Sequence, residues 1–266
     1  MDYEVAVIIP TFNAAKKIHK SLDSLVKQEF KNFEVLVIDG NSSDSTREIV
    51  ASYSERINIR VINNKNDKGP ASARALGISH SKSKYIAFCD ADDIWLPKKL
   101  STQHKFMQTN DSSFSYTKIK IYNVRRKQMF LRKVKKKYSF NDYLSNRGIV
   151  CSTVMVKRDL CTEDIISIQL PHSGEDTLWW QLMMKKHDVY ALLASEDPLV
   201  IYAHNDGGLS AQYRFSTIFQ QYKNLSYLDN MGMFKKLYLF ISYLINTFML
   251  NIITTQKIVS ELPGEK

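Results

Sequence analysis

The chain has 266 residues, enough for one large core or two closely joined halves, and 44% apolar content with 14 Tyr and 13 Phe excludes a disordered chain. Its three cysteines, Cys89, Cys151 and Cys161, form no CxxC pair, which argues against a disulfide framework or a zinc module and fits a reducing compartment. The formal net charge of +10 is concentrated, because ten Lys or Arg and no Asp or Glu lie between positions 116 and 137.

Acidic Asp2 and Glu4 precede a short apolar run, unlike a secretory leader, so no export is expected. Apolar or β-branched runs at 5–9, 34–38, 59–62 and 85–88 read as strands covered on both faces. Between the first two, Ile18, Leu22, Leu25 and Val26 recur at helical spacing. Asp44 is placed to cap a helix carrying Ile49, Val50 and Tyr53. Gly69-Pro70 opens a third helix, and Pro97 a fourth with Leu100, Phe106 and Met107 on one side. This alternation predicts a layered α/β fold with parallel strands.

Further on, 114–122 and 129–134 read as a hairpin, 151–156 as a strand and 175–186 as a helix. Strands at 189–193 and 199–203 extend the same sheet. The basic run suits an anionic membrane surface, a phosphorylated acceptor or nucleic acid, or is the solvated face of a β-ribbon. From 237 to 255 no residue is charged, close to the length of a membrane span. Ser242, Asn246, Thr247, Asn251 and Thr254 interrupt it, while Leu237, Ile241, Leu244, Ile245 and Phe248 keep a helical stripe. Amides are costly in hydrocarbon, so the better reading is a helix lying in the headgroup interface. Lys235, Lys236 and Lys257 flank it. A helix packed on the protein's own core is the alternative.

Ligands of open α/β sheets bind at the carboxyl ends of strands. There the four runs lead into Pro10-Thr11-Phe12-Asn13, Asp39 through Asp44, Asn66-Asp67-Lys68-Gly69 and Asp90-Ala91-Asp92-Asp93. Three carboxylates in the last tract repel one another unless a cation joins them, and hard oxygen ligands suit Mg²⁺ or Mn²⁺. The alternative is an acidic turn leading into the helix at Pro97. No GxGxxG or Walker-type loop is present, so phosphate charge falls to a metal and to side chains. Glu175 and Asp176, after His172-Ser173-Gly174, either complement a helix dipole or supply a base for an acceptor hydroxyl. His204 follows a strand and is either structural or a ligand.

The strings VAVIIPTFNAAKKIHKSLDSL, VLVIDGNSSDSTREIV, KGPASARALGIS and YIAFCDADDIWLPKKL stand in an order and spacing that resembles family 2 glycosyltransferases. These are inverting enzymes with the GT-A fold, a Rossmann-like mixed α/β sheet flanked by helices. The resemblance implies that Thr11, Asn13, Asp39 and Arg74 hold the uridine base and ribose of a UDP-sugar, with Asp90 near the ribose. It further implies Asp92 on a Mn²⁺ or Mg²⁺ cofactor, Asp176 as general base, and His204 approaching metal and diphosphate. It divides the chain into a nucleotide-sugar half (1–110), an acceptor half (111–205) and a C-terminal helical extension (206–266).

Leu76 stands where the family often has Asn, and TLWWQLMM replaces the QxxRW string of processive synthases, so one sugar per acceptor is expected. The resemblance thus implies transfer to a glycan or lipid-linked acceptor in bacterial surface-polysaccharide synthesis. The enzyme would touch the cytoplasmic face of the inner membrane peripherally, with no nucleic-acid partner. A sugar nucleotidyltransferase would carry a Gly-rich loop that PTFNAA lacks, and a nucleic-acid-binding protein would use the Lys/Arg stripe.

Overall fold

Aliphatic and β-branched side chains fill both faces of β1 (Val5–Thr11), β2 (Phe33–Asp39) and β4 (Tyr85–Phe88), which are almost wholly buried. The computed structural model describes residues 3–123, 128–145, 148–168, 174–204, 223–225, 227–228, 232–253 and 255–258. In it β1 pairs in parallel with β2 and β4, and β2 with β3 (Ile59–Asn63). β3 departs from expectation: it is the sheet's edge, and Val61 faces solvent.

Successive side chains of a strand point to opposite faces, and two cores follow from that alternation. Val5, Val7 and Ile9 pack with Ile18, Leu22 and Leu25 of α1 (Ile18–Val26) and with Val50 of α2 (Thr46–Ala51). Leu100 and Met107 of α4 (Lys99–Thr109) complete that layer. Ala6 and Ile8 face the other way, toward α3 (Pro70–Ser79) and toward Trp179 and Trp180 of α7 (Glu175–His187). Gly69 takes φ 100° and Pro70 is the first helical residue, as the dipeptide predicts. Asp44 accepts from the Thr46 N–H at 3.1 Å and so serves the start of α2.

The second half joins the same eleven-stranded sheet, in the order β11-β7-β6-β9-β4-β1-β2-β3. Here β6 is Phe114–Asn123, β7 is Gln128–Arg132, β9 is Met155–Lys157 and β11 is Thr255–Ile258. Two expectations change here. Cys151–Thr153 is a 3₁₀ turn, and its strand starts only at Met155. The strands read at 189–193 and 199–203 are one strand, β10 (Ala191–His204), which pairs with β6 through register shifts around Pro198. Proline donates no ladder hydrogen bond and is tolerated at such an irregularity. β10 also pairs with β5 (Ile94–Trp95) and β8 (Lys137–Tyr138).

The C-terminal helix, α8 (Met233–Ile253), starts earlier than read and is followed by β11, which was not foreseen. Its Leu239 and Tyr243 are buried, and Asn246 Nδ2 donates to the Ser145 carbonyl at 2.9 Å. Among the described residues no helix is long and apolar enough to cross a membrane.

Candidate active site

The four polar tracts meet at one rim because parallel strands end on the same side of the sheet. Asp39 closes β2 with its side chain fully buried; Oδ2 accepts from Arg47 Nε at 2.6 Å and from the Ser42 N–H at 3.1 Å. Its Oδ1 is equally buried and finds no hydrogen-bond donor among the described residues. A buried carboxylate oxygen left without a donor is costly, so this one fits a ligand N–H or hydroxyl. Beside it, Thr11 Oγ1 donates to the Ile38 carbonyl at 3.2 Å. Asn13 sits at φ 47°, and its Oδ1 accepts from the Ser43 N–H at 2.9 Å, which ties the β1 and β2 loops together. Between them Phe12 is 62% exposed, an aromatic face left in solvent at the rim.

After β4 the chain turns sharply, the Asp93 N–H donating to the Asp90 carbonyl at 3.1 Å, so that Asp93 is buried while Asp90 and Asp92 stay partly exposed. Lys17 Nζ lies 3.3 Å from Asp92 Oδ2. Burial, reinforced by the charge of Asp90, pushes the Asp92 carboxyl above the usual range. A further positive charge would relieve both. Among the described residues no three Asp, Glu, His or Cys groups converge as a metal cage. Mg²⁺ and Mn²⁺ bound mainly through substrate phosphates ask for only one or two protein carboxylates, which Asp90 and Asp92 offer.

Arg74 is the hub. Almost fully buried, it donates through Nη2 to Asp90 Oδ1 at 2.7 Å and through Nη1 to Glu175 Oε1 at 2.6 Å. Burial opposes its charge, but Asp90, Glu175 and Asp176 outweigh that and hold it protonated. Burial pushes Glu175 upward, against the pull of Arg74. One guanidinium therefore fixes the acidic turn after β4 to the start of α7, 101 residues away. Gly174, at φ 87°, lets the chain enter that helix. Asp176 Oδ1 accepts from the Thr177 N–H at 2.7 Å, and Oδ2 has no donor among the described residues.

Thr11, Asn13, Asp39, Arg74, Asp90, Asp92 and Asp176 thus lie on strand ends, loops and helix starts along this rim. Both terminal nitrogens of Arg74 are engaged by carboxylates. His204 closes β10 opposite Asn123, but its side chain, like His172 and Ser173, lies outside the described residues. Sequence reasoning missed Phe12, Arg47 and the role of Glu175 as Arg74's partner. Phe12 was signalled by an aromatic inside an otherwise polar strand-end tract, whereas the two ion pairs had no local signal.

A mixed sheet with helices on both faces, strand-end carboxylates and no glycine-rich phosphate loop defines a GT-A nucleotide-sugar transferase architecture. The family model Glycosyl transferase family 2 matches residues 6–163, and the chain belongs to that family. It is similar to Escherichia coli UDP-Glc:alpha-D-GlcNAc-diphosphoundecaprenol beta-1,3-glucosyltransferase WfgD, at 34% identity over 217 residues, 81% of this chain and 78% of the other. It spans less of some relatives: in an uncharacterized glycosyltransferase of Rickettsia felis, 33% identical, it covers 31% of the length.

Among solved structures, S. aureus TarS 1–349 in complex with UDP-GlcNAc has a TM-score of 0.67 at 22% identity, covering 93% of this chain and 73% of that one. The mannosyltransferase PcManGT of Pyrobaculum calidifontis, in complex with GDP-Man and Mn²⁺, has 0.65 at 17% identity, covering 95% and 71%.

Proposed function

We propose that this glycosyltransferase moves a single hexose or N-acetylhexosamine, with inversion, from a UDP-sugar to a glycan or lipid-linked acceptor in bacterial surface-polysaccharide synthesis. The observation that carries the reading is Arg74, which holds a donor-side carboxylate, Asp90, and the acceptor-side helix start, Glu175, in one buried cluster. WfgD's name, with its UDP-Glc donor and diphosphoundecaprenol acceptor, supports the substrate class.

In this reading Asp39 Oδ1 meets the uridine, Thr11 and Asn13 shape its pocket, and Phe12 offers a face for the base to stack on. Asp90 stands on the ribose side. Asp92, with His204, would hold Mn²⁺ or Mg²⁺, which would supply positive charge against that developing on the departing diphosphate. Asp176 takes the proton of the acceptor hydroxyl as that oxygen forms a bond to C1. The C1–O bond to the diphosphate breaks on the opposite face, and UDP leaves with the bonding pair. The absent QxxRW string supports one transfer per encounter. A lipid-linked acceptor requires peripheral contact with the anionic membrane at the cytoplasmic face, and the reading needs no nucleic acid. Family membership disfavours a sugar nucleotidyltransferase and a nucleic-acid binder alike.

The test is a panel of UDP-sugars with Mn²⁺ or Mg²⁺, read by UDP release and donor-induced thermal stabilisation. At least one donor is expected to raise the melting temperature and release UDP only with metal. Intact, metal-supplemented protein that responds to no donor overturns the reading.

A further inference from the structure

α8 has two apolar faces, and among the described residues only one of them is covered. Leu239 joins Leu144, Leu178, Leu225 and Leu228 in a small core, Tyr243 is buried beside it, and Asn246 bonds Ser145. On the opposite side Phe234, Leu237, Tyr238, Ile241 and Ile245 recur at the three- and four-residue spacing of one helix face. All five are exposed, Phe234 at 84% and Tyr238 at 71%. An uninterrupted exposed apolar stripe is uncommon on a soluble surface and marks a contact with something apolar.

The charge around the stripe selects the occupant. The next described residues after α8 belong to β11, whose Thr255 pairs with Arg132 of β7. That pairing brings the C-terminal end of the helix to the basic run, where Lys133 is exposed. The stripe is thus apolar along its length, with the basic run beyond its C-terminal end, the pattern of an interfacial helix on anionic lipid. The core beneath it includes Leu178, two residues past Asp176 in α7, so the lipid-facing helix is packed against the helix that carries the proposed base.

We infer that α8 seats the enzyme on an anionic bilayer, with Phe234, Leu237, Tyr238, Ile241 and Ile245 in the headgroup layer and Arg132 and Lys133 against the lipid phosphates. This deepens the reading of a lipid-linked acceptor: the surface that binds the membrane is the one that presents α7 to it.

The experiment is flotation of the full chain with vesicles of phosphatidylglycerol and phosphatidylethanolamine, against vesicles of phosphatidylcholine alone. Binding is expected only to the anionic vesicles and is expected to weaken with salt. The double variant Leu237→Glu/Ile241→Glu, both positions being exposed, is expected to abolish flotation while keeping the wild-type melting temperature and UDP release with a water-soluble acceptor. Arg132→Ala and Lys133→Ala are each expected to weaken it by about fivefold. Absence of wild-type binding to anionic vesicles overturns the inference, as does unchanged flotation of the double variant. If the double variant instead turns a dimer into a monomer on light scattering with flotation unaltered, the stripe is an interface between copies and the inference fails. UDP release with a soluble acceptor is read separately, so loss of lipid binding and failure of the glycosyltransferase reading are distinguishable.

Discussion

Asp176 and Arg74 divide the work of the rim between chemistry and positioning. Asp176→Asn keeps shape and hydrogen-bond reach but removes the proton acceptor, so kcat is expected to fall by about 10²–10⁴-fold. UDP affinity, measured by calorimetry, should be unchanged; an equal loss of both would assign Asp176 to binding instead. Arg74 behaves differently, because removing it leaves Glu175 as an uncompensated buried carboxylate and strips the partly exposed Asp90 of its partner. Arg74→Met is expected to cost about 3–5 kcal/mol in urea unfolding. Arg74→Lys recovers only part of this, since an ammonium cannot span two carboxylates as a guanidinium fork does. Most of the rim was legible because Thr11, Asp39, Asp90 and Asp92 directly follow apolar runs. The Arg74–Glu175 pair was not, because partners 101 residues apart leave no local pattern.

Among the elements, α3 lies close against the sheet. A Cβ on Gly77 would lie 2.6 Å from Ile8 Cγ2 and 3.2 Å from Ile38 Cγ1, so glycine is required for the helix to reach β1 and β2. Gly77→Ala is expected to push α3 off the sheet and to lower stability by about 1–3 kcal/mol. Since α3 carries Arg74, the KM for the donor should rise with it; a variant with wild-type stability would show that Ile8 simply repacks. Strands β1, β2 and β4 were legible because buried parallel strands read as continuous apolar runs. β10 read as two strands because Ser195-Glu196-Asp197-Pro198 has the composition of a turn. Tertiary pairing overrides it: Lys118 and Lys136 both pair with Glu196 and hold the irregular stretch against β6. β11 was hidden for a similar reason, since it is held by a ladder with the distant β7.

At the scale of the whole molecule, one sheet serves two cores, and the core against α1, α2 and α4 contains a buried lysine. Lys99 Nζ is fully buried, has no hydrogen-bond acceptor among the described residues and lies 3.5 Å from the centre of the Trp95 ring. Burial pulls its ammonium down to about 7. The unfolded chain therefore keeps that proton from pH 7 upward while the folded chain releases it, so stability must rise with pH over this range. The buried thiols set the upper limit. Burial pushes Cys89 and Cys151 upward and Cys161 up to about 12, so above roughly pH 8.5 the unfolded chain loses thiol protons that the folded one keeps, which reverses the slope. Between pH 7 and about 8.5 the wild type is expected to gain about 1–2 kcal/mol in denaturant unfolding. Lys99→Met, which keeps the volume over Trp95 and removes the charge, should be more stable than wild type at pH 7 and flat across the same window. A wild type insensitive to pH there, or a Lys99→Met variant less stable at pH 7, would show that contact with Trp95 outweighs the desolvation of the ammonium.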